Sequence, residues 1–343
     1  MITSNRLLLA GDIGATKTAL ALYDAAGFPE PPLRQQTYRN ALFSCFDDLL
    51  LEFLHQNAPQ PTSACFGVAG PVRANAVKMT NLNWSITGDA LQARHGFARV
   101  ELQNDLVTTA MGAIHLPATE LHPLNLGVPE AGRVMAVLAP GSGLGEAFLV
   151  HHHGAYHPYP SEGGHASFAP RNGEQMDLLA FMLKRHPHVS VERVCSGLAI
   201  PELFAFMTTR HQAPAWLLAE LEEATDRTPV IIQAALHALQ GKRACDIAVH
   251  TLALLVDILA DETANLALKT LALGGLFLGG GLAPRLLPFL TPERFLPIFT
   301  RGAYHDLLSR IPIQVICNPH TALLGAAHGA AALDQDSGQT ANV

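Results

Sequence analysis

Apolar residues along this chain come in short runs cut by glycine, and their spacing predicts its elements. Leu7 to Ala10 and Ala19 to Tyr23 are apolar runs separated by Gly11-Asp12-Ile13-Gly14-Ala15-Thr16-Lys17-Thr18, which reads as two strands joined by a long glycine-bearing turn. Phe43 to His55 has helical periodicity, and Thr62 to Val68 reads as a buried strand ending in Ala69-Gly70-Pro71. Ala98 to Leu102 is a further strand, with a helix from Asp105 to His115 directly after it. From Pro117 to Gly132 the pattern dissolves into proline, glycine and polar residues, which predicts a domain boundary.

Beyond the boundary, Val134 to Ala139 and Ala147 to Val150 read as strands around Gly141-Ser142-Gly143-Leu144-Gly145. Most of residues 174 to 273 reads as helix. The longest stretch runs from about Asp246 to Ala272, with Leu252, Leu255, Val256, Leu259, Thr263 and Leu266 on one stripe. Leu276 to Leu278 is a strand leading into Gly279-Gly280-Gly281, Ile313 to Ile316 a late strand, and His320 to Leu333 a final helix. Asp334 to Val343 is polar and expected to fray. The strand, glycine turn, strand pattern therefore occurs twice. Two similar α/β halves facing each other across a cleft would place both turns on one ligand.

The length of 343 residues favours two domains, and a hydrophobic content of 49% supplies a sizeable core. A formal net charge of −7, without a long run of Lys or Arg, argues against a nucleic-acid partner. Small anions remain possible through backbone N–H groups. Met1 to Arg6 is polar and the following apolar stretch stops at Gly11 and Asp12, so no signal peptide is expected. The stretch from Leu252 to Leu273 contains Asp257, Asp261, Glu262 and Lys269, which predicts a soluble helix and no membrane span. Cys45, Cys65, Cys195, Cys245 and Cys317 are scattered without C-x-x-C spacing, in keeping with reduced thiols and a cytoplasmic location. His151, His152 and His153 are adjacent, so their side chains cannot all face one zinc ion without help.

The first turn combines glycines that let backbone N–H groups approach a phosphate, hydroxyls on Thr16 and Thr18, and a carboxylate on Asp12 for hydrated Mg²⁺. It lacks Walker spacing, and a plain hairpin would look similar. Gly141-Ser142-Gly143 suits a second phosphate contact or a tight hairpin. Gly279-Gly280-Gly281 suits an adenosine or a strand-to-helix turn.

With these turns in place the chain resembles the bacterial glucokinases. Ala10-Gly11-Asp12-Ile13-Gly14-Ala15-Thr16 looks like their first phosphate motif, Gly67-Val68-Ala69-Gly70-Pro71-Val72 their interdomain strand end, and Met79-Thr80-Asn81-Leu82-Asn83-Trp84 the segment after it. Gln103-Asn104-Asp105-Leu106 resembles the catalytic pair, and Ala139-Pro140-Gly141-Ser142-Gly143-Leu144-Gly145 the second phosphate motif. Glu162-Gly163-Gly164-His165 and Glu192-Arg193-Val194-Cys195-Ser196-Gly197 resemble the sugar-binding segments, and Gly279-Gly280-Gly281 the adenosine-side glycines. Eight motifs in order span about 270 residues. Ala15 departs from the family's usual glycine and requires a negative φ or an altered turn. The zinc motif of the related repressor group is missing, which implies the zinc-free branch.

The resemblance implies an α/β, two-domain actin-like ATPase (ribonuclease H-like) fold with an interdomain cleft. Residues 1–116 plus 320–343 would form the smaller domain and 117–319 the larger. It implies ATP-dependent phosphorylation of D-glucose at the entry to glycolysis, by a cytoplasmic homodimer using Mg²⁺. Asp105 would be the general base, with a helix N-cap as its structural alternative. Asn81, Asn104, Asp105, Glu162, His165 and Glu192 would bind the sugar, since carboxylates, amides and imidazole suit a neutral polyol. ATP would meet Gly11, Asp12, Gly14, Thr16, Lys17, Thr18, Gly141, Ser142, Gly143, Gly280 and Gly281, with Lys17 equally able to stay solvated. Asp12 would hold Mg²⁺ through water. Closure on sugar binding would limit ATP hydrolysis. A kinase for another hexose and a non-catalytic sugar-binding regulator are the alternatives. The sugar segment argues against a filament-forming ATPase.

Overall fold

A computed structural model of the chain describes residues 6–55, 60–79 and 82–340, with side chains through residue 335. Two compact units emerge. The first comprises Met1–Pro117, Tyr156–Pro160 and Asn318–Val343, and the second Ala118–Ala155 and Ser161–Cys317. The second domain is thus interrupted at Tyr156–Pro160, an excursion of five residues too short for any composition shift to mark.

In the first unit, β1 (Leu7–Ile13) and β2 (Lys17–Asp24) form an antiparallel hairpin. There follow β3 (Arg34–Arg39), α1 (Phe46–Leu54), β4 (Ser63–Val68), β5 (Ala76–Lys78), β6 (Ser85–Thr87), α2 (Gly88–His95), β7 (Arg99–Asn104) and α3 (Asp105–Ala113). The sheet order is β3-β2-β1-β4-β7, with β4 parallel to both β1 and β7. Leu7 and Leu9 join Phe46, Leu49 and Phe53 on one face, while Leu8 and Ala10 join Leu323, Ala326, Ala327 and Ala330 on the other. Both faces of β1 are covered, so it reads as an unbroken apolar run.

The second unit contains β8 (Leu121–Asn125), β9 (Met135–Pro140) and β10 (Leu144–His152), then β11 (Ala155–Ser161), most of which falls in the first unit. Helices α4 (Gly173–Met182), α5 (Ile200–Met207), α6 (Ala215–Glu223), α7 (Arg227–Leu239) and α8 (Asp246–Thr270) come next. The unit finishes with β12 (Gly275–Leu278), α9 (Pro292–Phe299), α10 (His305–Ser309) and β13 (Ile313–Ile316). β9 pairs antiparallel with β10 and parallel with β12, which is parallel to β13. The hairpin followed by two parallel strands therefore occurs in both units. Helix α8 is buried nearly all round rather than along one stripe, and packs on α5, α7 and α9.

Several expectations change. The first turn is only Gly14 to Thr16, because cross-strand pairing continues through Gly11↔Leu20, Asp12↔Ala19 and Ile13↔Thr18. Gly11 and Asp12 are strand residues, and so are Lys17 and Thr18. The presumed boundary from Pro117 to Gly132 contains β8, an edge strand antiparallel to β13 that tolerates Pro123. The final helix, α11 (Thr321–Thr340), runs past Leu333. Asp334 is buried there, accepting from Thr62 Oγ1 at 3.1 Å and pairing with Arg6 at 3.2 Å, so the first turn of the supposed polar tail is anchored. No helix among the described residues is long and apolar enough to cross a membrane.

Candidate active site

In the first unit the β1–β2 turn is held by Asn40. Its Nδ2 donates to the Gly14 carbonyl at 2.9 Å, its amide donates to the Thr16 carbonyl at 3.0 Å, and its Oδ1 accepts from Thr18 Oγ1 at 2.8 Å. Thr18 is fully buried, so its hydroxyl supports the turn instead of offering a proton to phosphate. Thr16 and Lys17 are exposed and keep that possibility. Gly11 also has a packing role: a Cβ there would stand 2.5 Å from the Phe66 ring. Gly14 donates its amide to Lys17 at 3.0 Å, and Ala15 is not among the residues with positive φ. Burial pushes the Asp12 carboxyl up to about 6, while nearby His320 pulls it down.

Asn104 and Asp105 sit where β7 gives way to α3. Asn104 is the N-cap: its Oδ1 accepts from the Leu106 amide at 2.9 Å, and its Nδ2 donates to the Gly70 carbonyl at 3.2 Å. The capping alternative for Asp105 thus falls to its neighbour, and Asn104 retains one N–H and one lone pair for a ligand. Asp105 is the first helical residue, half-buried, with its carboxylate near the positive end of the helix. Its carbonyl accepts from Thr108 Oγ1 at 3.0 Å and Thr109 Oγ1 at 2.8 Å, which ties the first turn together. The helix is fixed by α11, where a Cβ on Gly325 would lie 1.7 Å from the Thr108 carbonyl and one on Gly112 2.0 Å from that of Thr321. Asn81 lies outside the described residues.

In the second unit the β9–β10 turn, Gly141-Ser142-Gly143, closes with a 2.9 Å bond from the Gly141 amide to the Gly143 carbonyl. Gly197 and Leu198 donate their amides to the carbonyls of Gly141 and Ser142 at 2.8 and 3.2 Å. Gly141, Ser142 and Gly281 line a cavity of about 740 Å³. Gly280 does not line it. With φ +73° and a Cβ position 2.4 Å from the Pro140 carbonyl, Gly280 shapes the turn that brings Gly281 to the wall.

The same cavity is lined by Arg227, Thr228 and Arg285, which sequence reasoning missed, and by Gly197, which falls in an expected sugar-binding segment. Thr228 donates its hydroxyl to the Gly197 carbonyl at 3.0 Å and its amide to Asp226 Oδ1 at 2.9 Å. The Asp-x-Thr opening of α7 was the available sign, since Asp favours the N-cap.

Beside this turn, three of the expected sugar residues come together. Gly163 to His165 form one 3₁₀ turn, and the Glu192 amide donates to the Gly164 carbonyl at 2.9 Å. His165 Nε2 is 3.9 Å from Glu162 Oε2, and His165 Nδ1 is 3.9 Å from Glu192 Oε1. Those distances exceed a hydrogen bond, so each group keeps capacity for another partner. Glu192 Oε2 also accepts from the Leu144 amide at 2.9 Å and fills the space of a Gly143 side chain, whose Cβ would stand 2.3 Å away. The arrangement offers a neutral polyol two carboxylates and an imidazole, with the adjoining glycine turn in the same unit.

Among the described residues no group of three or more His, Cys, Asp or Glu is arranged to hold a metal ion, the histidines 151–153 included. Asp12 alone still fits Mg²⁺, which keeps most of its water and takes one or two carboxylates plus phosphates. A cation beside that carboxyl would offset the burial that now favours its protonated form.

A family model described as Glucokinase matches residues 9–333. The glucokinase of Nostoc punctiforme is 37% identical over 344 aligned residues, covering 95% of this chain and 99% of the relative. That of Synechocystis is 33% identical, covering 93% and 96%. Among solved structures, a glucokinase from an Antarctic psychrotroph superposes with a TM-score of 0.79 at 30% identity, covering 96% of this chain and 99% of that one. A ROK family glucokinase from Streptomyces griseus gives 0.64 at 19% identity, covering 94% and 99%, a likeness of fold. The fold is that of the two-domain actin-like ATPases.

Proposed function

The chain belongs to the glucokinase family, and we propose that it transfers the γ-phosphoryl group of ATP to the 6-hydroxyl of D-glucose. The observation that carries this reading is the meeting of Glu162, His165 and Glu192, with Glu192 also bonded to the strand leaving the Gly141–Gly143 turn.

A sugar hydroxyl becomes a useful nucleophile only when its proton has an acceptor. Asp105 takes that proton as the oxygen attacks the γ-phosphorus and the bond to the β-γ bridging oxygen breaks, releasing ADP. Glu162 and Glu192 accept from glucose hydroxyls, and His165 donates or accepts according to tautomer. Asn104 adds its remaining N–H and lone pair. A sugar lacking an expected hydroxyl would leave these groups unpaired, which is the source of discrimination. On the nucleotide side, the backbone around Gly14, Gly141 and Gly143, the Thr16 and Ser142 hydroxyls and the Lys17 ammonium would bind the phosphates. The cavity lined by Thr228, Gly281 and Arg285 takes the adenosine. Asp12 would hold Mg²⁺ through water, and the ion would neutralise phosphate charge. The family resemblance also supports a cytoplasmic homodimer serving glycolysis, and both belong to the proposal.

A coupled assay that follows ADP formation with glucose tests the reading. Asp105→Ala is expected to lower kcat at least about 10²-fold while calorimetry still detects glucose binding. Near wild-type turnover in that variant would remove Asp105 from the mechanism. Glucose binding without any ATP turnover in the wild type would indicate a sugar sensor.

A further inference from the structure

Behind the Glu162–His165 turn lies a group of buried carboxyls that the proposed reaction does not use. Glu146 on β10 is 3% exposed and Glu262 on α8 is 4% exposed. Glu262 has neighbours: Asn265 Nδ2 donates to its Oε2 at 2.8 Å, and Lys269 Nζ stands 3.6 Å from its Oε1. The Glu262 Oε1 is also buried without a hydrogen bond but faces the Lys269 ammonium, whereas Glu146 lies against a turn. Its Oε1 is buried without a hydrogen-bond partner. Its Oε2 occupies the space of a missing side chain, since a Cβ on Gly163 would stand 1.9 Å away. Folds retain few unpaired buried acceptors, because each is costly, and this one lies directly under a turn that presents two ligand-facing side chains.

We propose that Glu146 is a positioning residue for sugar binding, its carboxyl setting where Gly163 sits and therefore where Glu162 and His165 point. This rests on the assignment of Glu162, His165 and Glu192 to the sugar. Glu146 touches neither substrate; it acts through the turn. Two features make the contact specific. Gly163 is not at positive φ, so an alanine there meets no backbone penalty. The three atoms nearest its Cβ position also all belong to Glu146, so any steric effect of that alanine falls on this pair.

The contact also has a charge state. Burial pushes the Glu146 carboxyl up to about 7, with Glu262 adding to the rise and Lys269 opposing it. The groups facing it are Glu262 and Lys269 from α8, Cys195 from the segment before α5, and Gly163 itself; Leu138 pairs with it across β9. The Cys195 thiol is pushed up by burial and by both carboxylates, so it stays protonated. Below about pH 7 Glu146 is therefore neutral and packs against the turn. Above that pH it gains a charge beside Glu262 and disturbs the turn. Glucose affinity is then flat at low pH and weakens as pH rises through this range.

The test is calorimetric titration of the full chain with glucose alone, from about pH 6 to about pH 8.5. Wild type is expected to weaken by up to about tenfold per pH unit above about 7, the limit for one linked proton. Glu146→Gln has no proton to lose, and its affinity should change less than about twofold over the range. Gly163→Ala should weaken binding at least about tenfold through the clash, and adding Glu146→Ala in the same chain should recover most of it. If the two substitutions merely multiply, or if the Glu146→Gln profile superimposes on wild type, the positioning role is wrong. Glu162→Gln separates the two readings. Unchanged glucose affinity in that variant removes the sugar assignment and this proposal with it. Weakened affinity alongside superimposed Glu146 profiles removes only the positioning role.

Discussion

Glu192 Oε2 accepts a 2.9 Å hydrogen bond from the backbone amide of Leu144. One carboxylate thus belongs both to the group proposed to bind the sugar and to the strand that leaves the second glycine turn. Removing the acceptor and removing only the charge should have different results. Glu192→Ala is expected to raise KM for glucose and for ATP, each by about tenfold or more, because the buried amide loses its partner. Glu192→Gln keeps an oxygen for Leu144 and should raise KM for glucose while changing that for ATP less than about threefold. Steady-state kinetics in both substrates distinguishes them.

A second prediction concerns the crossing of α3 and α11. Gly325→Ala would place a methyl 1.7 Å from the Thr108 carbonyl oxygen, a backbone atom that cannot rotate away. The helices must separate, and α3 carries Asp105. Urea unfolding should show a loss on the order of 3 kcal/mol. Whatever folded enzyme remains should have a reduced kcat. Unaltered stability would show that the crossing tolerates a side chain.

The first turn can be loosened without touching the exposed residues assigned to the phosphates. Thr18→Val keeps shape and burial but removes the donor to Asn40 Oδ1. The orphaned acceptor should cost about 1–3 kcal/mol. KM for ATP should rise severalfold while calorimetric glucose affinity stays as in wild type. A rise confined to glucose would contradict the role given to this turn.

Acid sensitivity of the first unit should come from His328. Its ring stacks on His115 with centroids 3.5 Å apart, and burial, helped by His115, pushes it down to about 4. Burial lowers His115 as well. An unfolded histidine takes up its proton near pH 6.5, so between about 6.5 and 4 the unfolded chain binds more protons and stability falls with falling pH. Above about 6.5 this contribution is constant. His328→Phe should flatten that part of the profile, so that its thermal midpoint gains a few degrees on wild type between about pH 6.5 and 5. Parallel curves for the two proteins would mean that other groups govern acid unfolding.

Much of the fold was readable along the chain. β13 falls on Ile313–Ile316 as the apolar run suggested, and β4, β7, α3 and α8 lie within a few residues of their expected bounds. β4 is buried throughout, β7 alternates, and α8 is buried nearly all round, so burial is written into neighbouring residues. The strands that were missed are different. β3 alternates polar residues around Tyr38 at a sheet edge, and only Leu124 of β8 is deeply buried. Their pairing partners, not their own side chains, make them strands.

The order of the elements, the repeated glycine hairpin and the family's motif residues were determined by the sequence itself, because local periodicity and backbone freedom act between near neighbours. Only the tertiary structure decided which glycine serves what. Gly11 makes room for Phe66, Gly143 for Glu192, Gly163 for Glu146 and Gly325 for the Thr108 carbonyl, while a Cβ on Gly141 would meet nothing within 4 Å. A glycine in the sequence shows that a side chain is missing, but what occupies its space arrives from 17 to 217 residues away in these four pairs. Long-range packing settles that, and no local pattern encodes it.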